Sequence, residues 1–350
     1  MSSLYQRIDL MVKLGQFLQE ESEELSAIKA HAHRENGWFT ENYINLSLEN
    51  IVNQFLQKSL LEQWLNNYPL IIRNAEVAQT KTVGIVMAGN LPLVGFHDFL
   101  SVYLAGFKIN IKLSSKDQVL WKLIIKKLQE WDATFEETVA VKEMLKNCDA
   151  YIATGNNNSA NFFEQYFSKY PNIIRKNRTS VAVLTGKETP AELLALENSI
   201  STYFGLGCRN ISKIFVPENY DFENLIAAFS HYNWHRDHNK FKNNYDFQLA
   251  MFLLNKVPYM ATYSMLLVEN DQPFAPISVL NYGCYATIND ISEALSKTDE
   301  LQCIETNEAL KATLQNLTNV PVIAFGESQQ PSLMDYADNV DTLQFLSSLY

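Results

Sequence analysis

Residues 82–112 read TVGIVMAGNLPLVGFHDFLSVYLAGFKINIK. Val83-Gly84-Ile85-Val86-Met87 has the continuous apolar texture of a strand buried on both faces. Ala88-Gly89-Asn90-Leu91-Pro92 is turn chemistry. Leu93 to Ala105 has helical spacing, with Gly106 placed to end the helix in the left-handed conformation. Ile109 to Lys112 begins a second strand. A strand, a helix and a strand in so short a span make a crossover unit, which implies parallel neighbours and right-handed connections.

The same alternation continues on both sides. Ser115-Lys116-Asp117-Gln118 has the form of a capping box and opens a predicted helix through Trp131. A strand at Ala150–Ala153 runs into Thr154-Gly155-Asn156-Asn157-Asn158, then a helix to Tyr166 and a strand at Ser180–Leu184. Upstream, residues 4–33 carry helical spacing with a break expected at Asn36-Gly37, and a second helix is expected from about Leu48 to Leu65. Downstream, Ile211–Pro217 is β-like, a helix starts near Phe222, and Asn233–Asn244 is polar. Strands are expected at Tyr263–Val268, Pro276–Leu280 and Val320–Phe325, with a short helix at Asp290–Leu295. The chain therefore reads as α/β, with a parallel-sheet domain over 1–178, a second α/β domain over 179–328 and a tail over 329–350. Ligands of such sheets gather at the carboxyl ends of the strands. The turns at 88–92 and 154–158 fall there, although no G-x-G-x-x-G accompanies them.

Composition narrows the function. A net charge of −11 over 350 residues excludes the broad basic face that a nucleic-acid binder needs. No apolar run approaches the ~18 residues of a membrane span. Residues 1–13 mix Arg7, Asp9 and Lys13 into the apolar positions and lack a signal-peptide core, so a cytoplasmic protein is expected. The four cysteines, Cys148, Cys208, Cys284 and Cys303, have neither metal nor disulfide-scaffold spacing and read as reduced thiols.

One of them stands apart. Phe204-Gly205-Leu206-Gly207-Cys208-Arg209-Asn210 sets Cys208 among small residues at the mouth of the Ile211–Pro217 run. A flat electrophile can approach a thiol there, and an attacking thiolate needs nearby N–H groups or a cation. The same residues suit a small buried core cysteine. His231, His235 and His238 would share one helix face and could ligate zinc, but their polar surroundings suit a solvated surface, and no metal is expected. His97 is expected to be a hydrogen-bonded histidine within the fold. Phe162, Phe163, Tyr166 and Phe167 are expected in the core.

Taken in order, these motifs resemble the aldehyde dehydrogenase superfamily over about residues 36–340, and more closely its acyl-CoA reductase branch, typified by the fatty-acid reductase of bacterial luminescence systems. The resemblance implies an aldehyde dehydrogenase-like fold, with a Rossmann-type parallel-sheet cofactor domain and a second α/β catalytic domain. It makes Cys208 the nucleophile and gives Asn90, in Gly89-Asn90-Leu91-Pro92, a donor role toward the oxyanion. Ile111-Lys112-Leu113-Ser114-Ser115 is similar to the family's Lys-Pro-Ser/Ala-Glu. Lys112 and Ser115 then face the adenosine ribose, and a serine in place of the glutamate tilts the expectation to NADPH, with NADH the other option. Thr154, Gly155 and Asn156 match the Thr-Gly-Ser turn at the pyrophosphate, with Ala160 replacing a second glycine. Gln272, in Gln272-Pro273-Phe274-Ala275-Pro276, stands where a glutamate holds the nicotinamide ribose. Ile174 stands where hydrolytic members carry the glutamate that activates water. The resemblance therefore implies NADPH-dependent reduction of an acyl-CoA or acyl-protein thioester through an acyl-cysteine, and a homo-oligomer. A non-catalytic protein with the same shell, or an aldehyde oxidiser with another base, are the alternatives.

Overall fold

The computed structural model describes residues 3–75 and 80–350. They form two compact units, one of residues up to Asn177 together with Pro331–Tyr350, the other Arg178–Gln330. Of the residues set apart as a tail, 331–350 thus group with the first unit and 329–330 with the second.

The first unit begins with helices α1 (Leu4–Gln19), α2 (Glu23–Glu35), α3 (Glu41–Asn50), α4 (Lys58–Asn66) and α5 (Pro69–Asn74). The single helix expected over 4–33 is two, because Ser22 caps a new start by accepting the Leu25 N–H at 3.2 Å. The helix expected near 48–65 is likewise α3 followed by α4. Then come β1 (Thr82–Val86), α6 (Phe96–Ala105), β2 (Lys108–Lys112), α7 (Gln118–Trp131), α8 (Phe135–Thr138), β3 (Val139–Val141), β4 (Ala150–Thr154), α9 (Asn157–Phe167) and β5 (Asn172–Arg175). Gly106 ends α6 at φ 82° as expected. The strands lie in the order β3-β2-β1-β4-β5, all parallel. The chain thus builds outward from β1 on one side, then returns to its other side, which makes β1/β4 a topological switch point.

The expected capping box at Ser115 does not form; Asp117 is the N-cap of α7, and its carboxylate is used elsewhere. On α9 the aromatic expectation holds only in part. Phe167 stacks on Tyr151 with ring centroids 4.1 Å apart, while Phe162 and Tyr166 face solvent. The C-terminal residues are bound by side chains: Trp64 donates to the Tyr336 hydroxyl at 2.8 Å, Tyr68 to Asp341 at 2.7 Å and Tyr350 to the Ala105 carbonyl at 2.8 Å.

The second unit contains β6 (Thr179–Val183), α10 (Pro190–Ser201), β7 (Ile211–Pro217), α11 (Glu223–Ala228), α12 (Asn239–Asn255), β8 (Met260–Ala261), β9 (Leu266–Glu269), β10 (Val279–Tyr285), α13 (Ile288–Ser296), β11 (Leu301–Thr306), α14 (Glu308–Gln315) and β12 (Val322–Ala324). Its sheet runs β12-β11-β6-β7-β10-β9-β8, parallel except for the β8/β9 pair. The polar stretch at 233–244 is helical, in 3-10 turns and the first turns of α12. The strand expected at Pro276 begins at Val279. Last in the first unit comes α15 (Thr342–Ser347). Among the described residues no helix is long and apolar enough to cross a membrane.

Candidate active site

In the first unit the predicted residues fall along one rim. The register sets Val86 opposite both Lys112 and Ala153, so β1, β2 and β4 end together. The Met87 N–H extends the β1/β2 ladder to the Lys112 carbonyl at 3.0 Å. Lys112 and Thr154 are the last residues of β2 and β4, and Asn90, Ser115, Gly155 and Asn156 follow shortly after the strand ends. Asn90, Lys112, Ser115 and Asn156 are exposed, and Thr154 and Gly155 half-buried.

Close approach explains the glycines. A Cβ on Gly89 would lie 2.4 Å from Ser114 Oγ, so only glycine lets the Asn90 turn meet the segment after β2. A Cβ on Gly155 would lie 2.8 Å from the Ser159 Cβ and 2.9 Å from the Phe163 ring, so glycine is what lets the first turns of α9 pack back on the end of β4. Asn156 caps that helix by accepting the Ser159 N–H at 2.8 Å. Ala160, in place of the expected second glycine, is fully buried within α9.

The Asn90 turn is clamped from outside. Ser47 of α3 donates to the Pro92 carbonyl at 2.7 Å, and Asp117 accepts the Leu93 N–H at 2.8 Å. Leu93 sits at φ 55°, a conformation that strains a residue with a Cβ and needs such holding. Burial pushes the Asp117 carboxyl well above its usual range.

In the second unit Cys208 is half-buried in the turn between α10 and β7. Tyr203, Phe204 and Gly205 take φ values of 54°, 58° and 73° just before it. Two aromatic residues in that region cost roughly 1–2 kcal/mol each, and such strain persists only where its surroundings impose it. The Cys208 carbonyl accepts from Ser180 Oγ at 3.1 Å, and the same oxygen lies 3.1 Å from Cys303 Sγ. Burial pushes the Cys303 thiol up to about 12 against the opposing charge of Arg209. The Cys148 thiol is raised by burial, and the Cys284 thiol by burial and by Glu269 and Glu218.

The Gln272 loop is fastened to the strand that follows Cys208. Lys213 donates to the Asp271 carbonyl at 2.8 Å, Ser212 to Pro273 at 2.6 Å, and Asn281 to both Gln272 and Phe274 at 2.9 Å. Consecutive carbonyls are thus turned into the sheet, and Gln272 is exposed. Lys213 is buried, which pulls its ammonium below the usual lysine range. Ser180, Asn210, Ser212, Lys213 and Asn281 were not singled out in the sequence; their signal was polar residues inside or beside strand-like runs.

The three histidines do not form one cluster: His235 is buried against the Phe204 ring at 4.5 Å, His238 packs on the same ring at 4.6 Å and accepts the Phe241 N–H at 3.3 Å as the cap of α12, and His231 is exposed. Among the described residues no group of three or more ligating side chains is placed to hold a metal. His97 lies 3.0 Å from the Leu333 carbonyl through Nε2, within the fold as expected.

No protein-family model matches this sequence. No curated protein matches it either. Solved structures do. Aldehyde dehydrogenase 21 from Physcomitrella patens, in complex with the product succinate, aligns at TM-score 0.71 and 10% identity, over 99% of this chain and 84% of that one. Lactaldehyde dehydrogenase from Escherichia coli gives 0.68 and 11%, over 92% and 79%. Mycobacterium tuberculosis aldehyde dehydrogenase, complexed with NAD+, gives 0.63 and 10%, over 92% and 77%. The chain has the fold of aldehyde dehydrogenases, a parallel-sheet Rossmann-like unit and a second α/β unit.

Proposed function

We propose that the protein is a cysteine-dependent oxidoreductase that reduces an acyl thioester, such as an acyl-CoA, to an aldehyde. The observation that carries this reading is Cys208, half-buried on a strained turn in an aldehyde dehydrogenase fold; the sequence resemblance adds that Ile174 stands where hydrolytic members carry their water-activating carboxylate. Ile174 is an aliphatic, half-buried residue of β5 and can take no proton.

The rim of the first unit fits a dinucleotide. The N-terminus of α9 and its N–H groups suit a pyrophosphate, and Lys112 and Ser115 would face the adenosine ribose. Ser115 brings no carboxylate to repel a 2′-phosphate, and Lys116 is exposed beside it, which supports NADPH over NADH. A reduced nicotinamide bound there would supply hydride.

The chain's own residues do the rest. The Cys208 thiolate attacks the thioester carbonyl, the new S–C bond forms, and the carrier thiolate leaves with the electrons of the old one. Without a base for water, the acyl-cysteine persists long enough to be reduced. The Cys208 N–H and the Asn90 amide have the oxyanion-donor roles that the resemblance gives them. Collapse of the thiohemiacetal oxyanion re-forms the aldehyde carbonyl and returns the Cys208 thiolate, and the one proton consumed overall goes to the departed carrier thiolate. Gln272 would hold the nicotinamide ribose as a neutral partner.

The test is cofactor oxidation by the purified protein with NADPH or NADH and a series of acyl-CoAs, with aldehyde identified as product. No acyl-dependent oxidation across the series, or acid formed from aldehyde without CoA, would overturn the reading.

A further inference from the structure

Asn210 is 3% exposed, and every polar group it owns is engaged. Its Nδ2 donates to the carbonyls of Ser199 at 2.9 Å, Ile200 at 3.3 Å and Thr202 at 2.9 Å, the end of α10. Its Oδ1 accepts the Gly207 N–H at 2.7 Å, and its own N–H donates back to the Gly207 carbonyl at 3.1 Å. Its carbonyl accepts the Ser180 N–H at 3.2 Å. The reciprocal pair with Gly207 closes a ring around Cys208 and Arg209. One side chain thus joins the helix end, the left-handed Tyr203–Gly205 turn and the cysteine.

We infer that Asn210 is the positioning residue for Cys208: its amide imposes the strained turn and fixes where the thiol is presented. An asparagine that only capped α10 would use its carbonyl contacts and leave Gly207 to other partners. The bond from Gly207 to Oδ1 directs the same amide to the cysteine ring. The inference takes Cys208 as the reacting group and in that respect rests on the reading above, but its main readout needs no acyl substrate.

The experiment compares wild type, Asn210→Ala and Asn210→Ser by alkylation with iodoacetamide, followed residue by residue in the mass spectrometer, with the exposed Cys284 as internal reference. Amide exchange at 203–209 is measured in parallel. In Asn210→Ala the Cys208/Cys284 alkylation ratio rises about tenfold and the exchange quickens by a similar factor as the ring opens. With acyl-CoA, kcat falls while KM stays. Asn210→Ser, neutral and able to keep a single bond, falls between the two and serves where the alanine variant does not fold. A ratio within about twofold of wild type in a folded variant would sink the inference and leave Asn210 a helix cap. Wild type without acyl-CoA turnover would instead sink the functional reading, while alkylation and exchange still decide the role of Asn210.

Discussion

The Asn90 turn and the Cys208 turn each hold residues at positive φ, yet they are secured by different means. Leu93 is kept in place by Ser47 and Asp117, which stand 45 and 24 positions away in the chain from the residues they bind. Tyr203 and Phe204 are kept by Asn210, a few residues on. The first turn is a product of packing between separate elements, and the second carries its own clamp. A turn held from outside should loosen when distant elements loosen, whereas a turn held from within should keep its geometry until its own amide is lost.

The sharpest break is at the sulfur. Under the proposed reaction Cys208→Ala is expected to lower acyl-dependent cofactor oxidation by about 10⁴-fold or more, the effect of removing a covalent nucleophile. Stability should stay within about 1 kcal/mol because the side chain is only half-buried. Steady-state kinetics and urea unfolding check both halves.

Asn90→Ala tests the other turn. Under the proposed reaction the Asn90 amide is an oxyanion donor, so kcat is expected to fall by about 10²–10³-fold, with unfolding unchanged because Asn90 is exposed. An equal loss of stability would mean that Asn90 is part of the clamp, and the comparison would fail.

A buried carboxyl near the inner clamp gives the second unit its own pH response. Glu197 is fully buried on α10, and burial pushes it from 4.5 up to about 8, while burial and the neighbouring His238 pull His235 from 6.5 down to about 3. The folded state therefore holds the Glu197 proton more tightly, and stability falls as pH rises from 4.5 to 8. The folded state resists protonation of His235, so stability falls as pH drops from 6.5 to 3. From these two groups alone the slopes cancel between 4.5 and 6.5. Glu197→Gln is expected to remove the high-pH loss, gaining on the order of a few kcal/mol at the upper end. Urea midpoints across pH decide it: a mutant whose stability falls as steeply as wild type above 6.5 contradicts the assignment.

The smallest effect separates two substitutions at the outer clamp. Asp117→Ala leaves the Leu93 N–H without its acceptor and should cost about 1–3 kcal/mol. Asp117→Asn keeps an acceptor of the same shape and should cost less. Neither should change the Cys208/Cys284 alkylation ratio, since each turn is held by its own residues.

Much of this was legible in the chain. β1 and β4 are nearly continuous apolar runs, β2 alternates apolar and polar residues, and β6 and β7 keep apolar stretches beside a few polar residues, so local burial and strand texture broadly agree. β11 was missed although all six of its residues are buried, because Gln302, Glu305 and Thr306 give it a polar texture. Glu305 is tolerated there through bonds from Ser199 at 2.7 Å and Ser328 at 3.0 Å, partners that no local window contains. The capping box at Ser115 was legible but wrong, because α7 starts at Gln118 with Asp117 as its N-cap, two residues later than the box requires.

Apolar periodicity and turn chemistry, both local properties, determined the α/β alternation, the rim on which the strand ends fall, and the one cysteine set among glycines. Hydrogen bonds between residues far apart in the chain could be decided only by the tertiary fold, because a buried polar group is stable only where a partner meets it. That is why Asp117 leaves its own helix to hold Leu93, why the histidines do not form one cluster, and why the last twenty residues close onto the first unit.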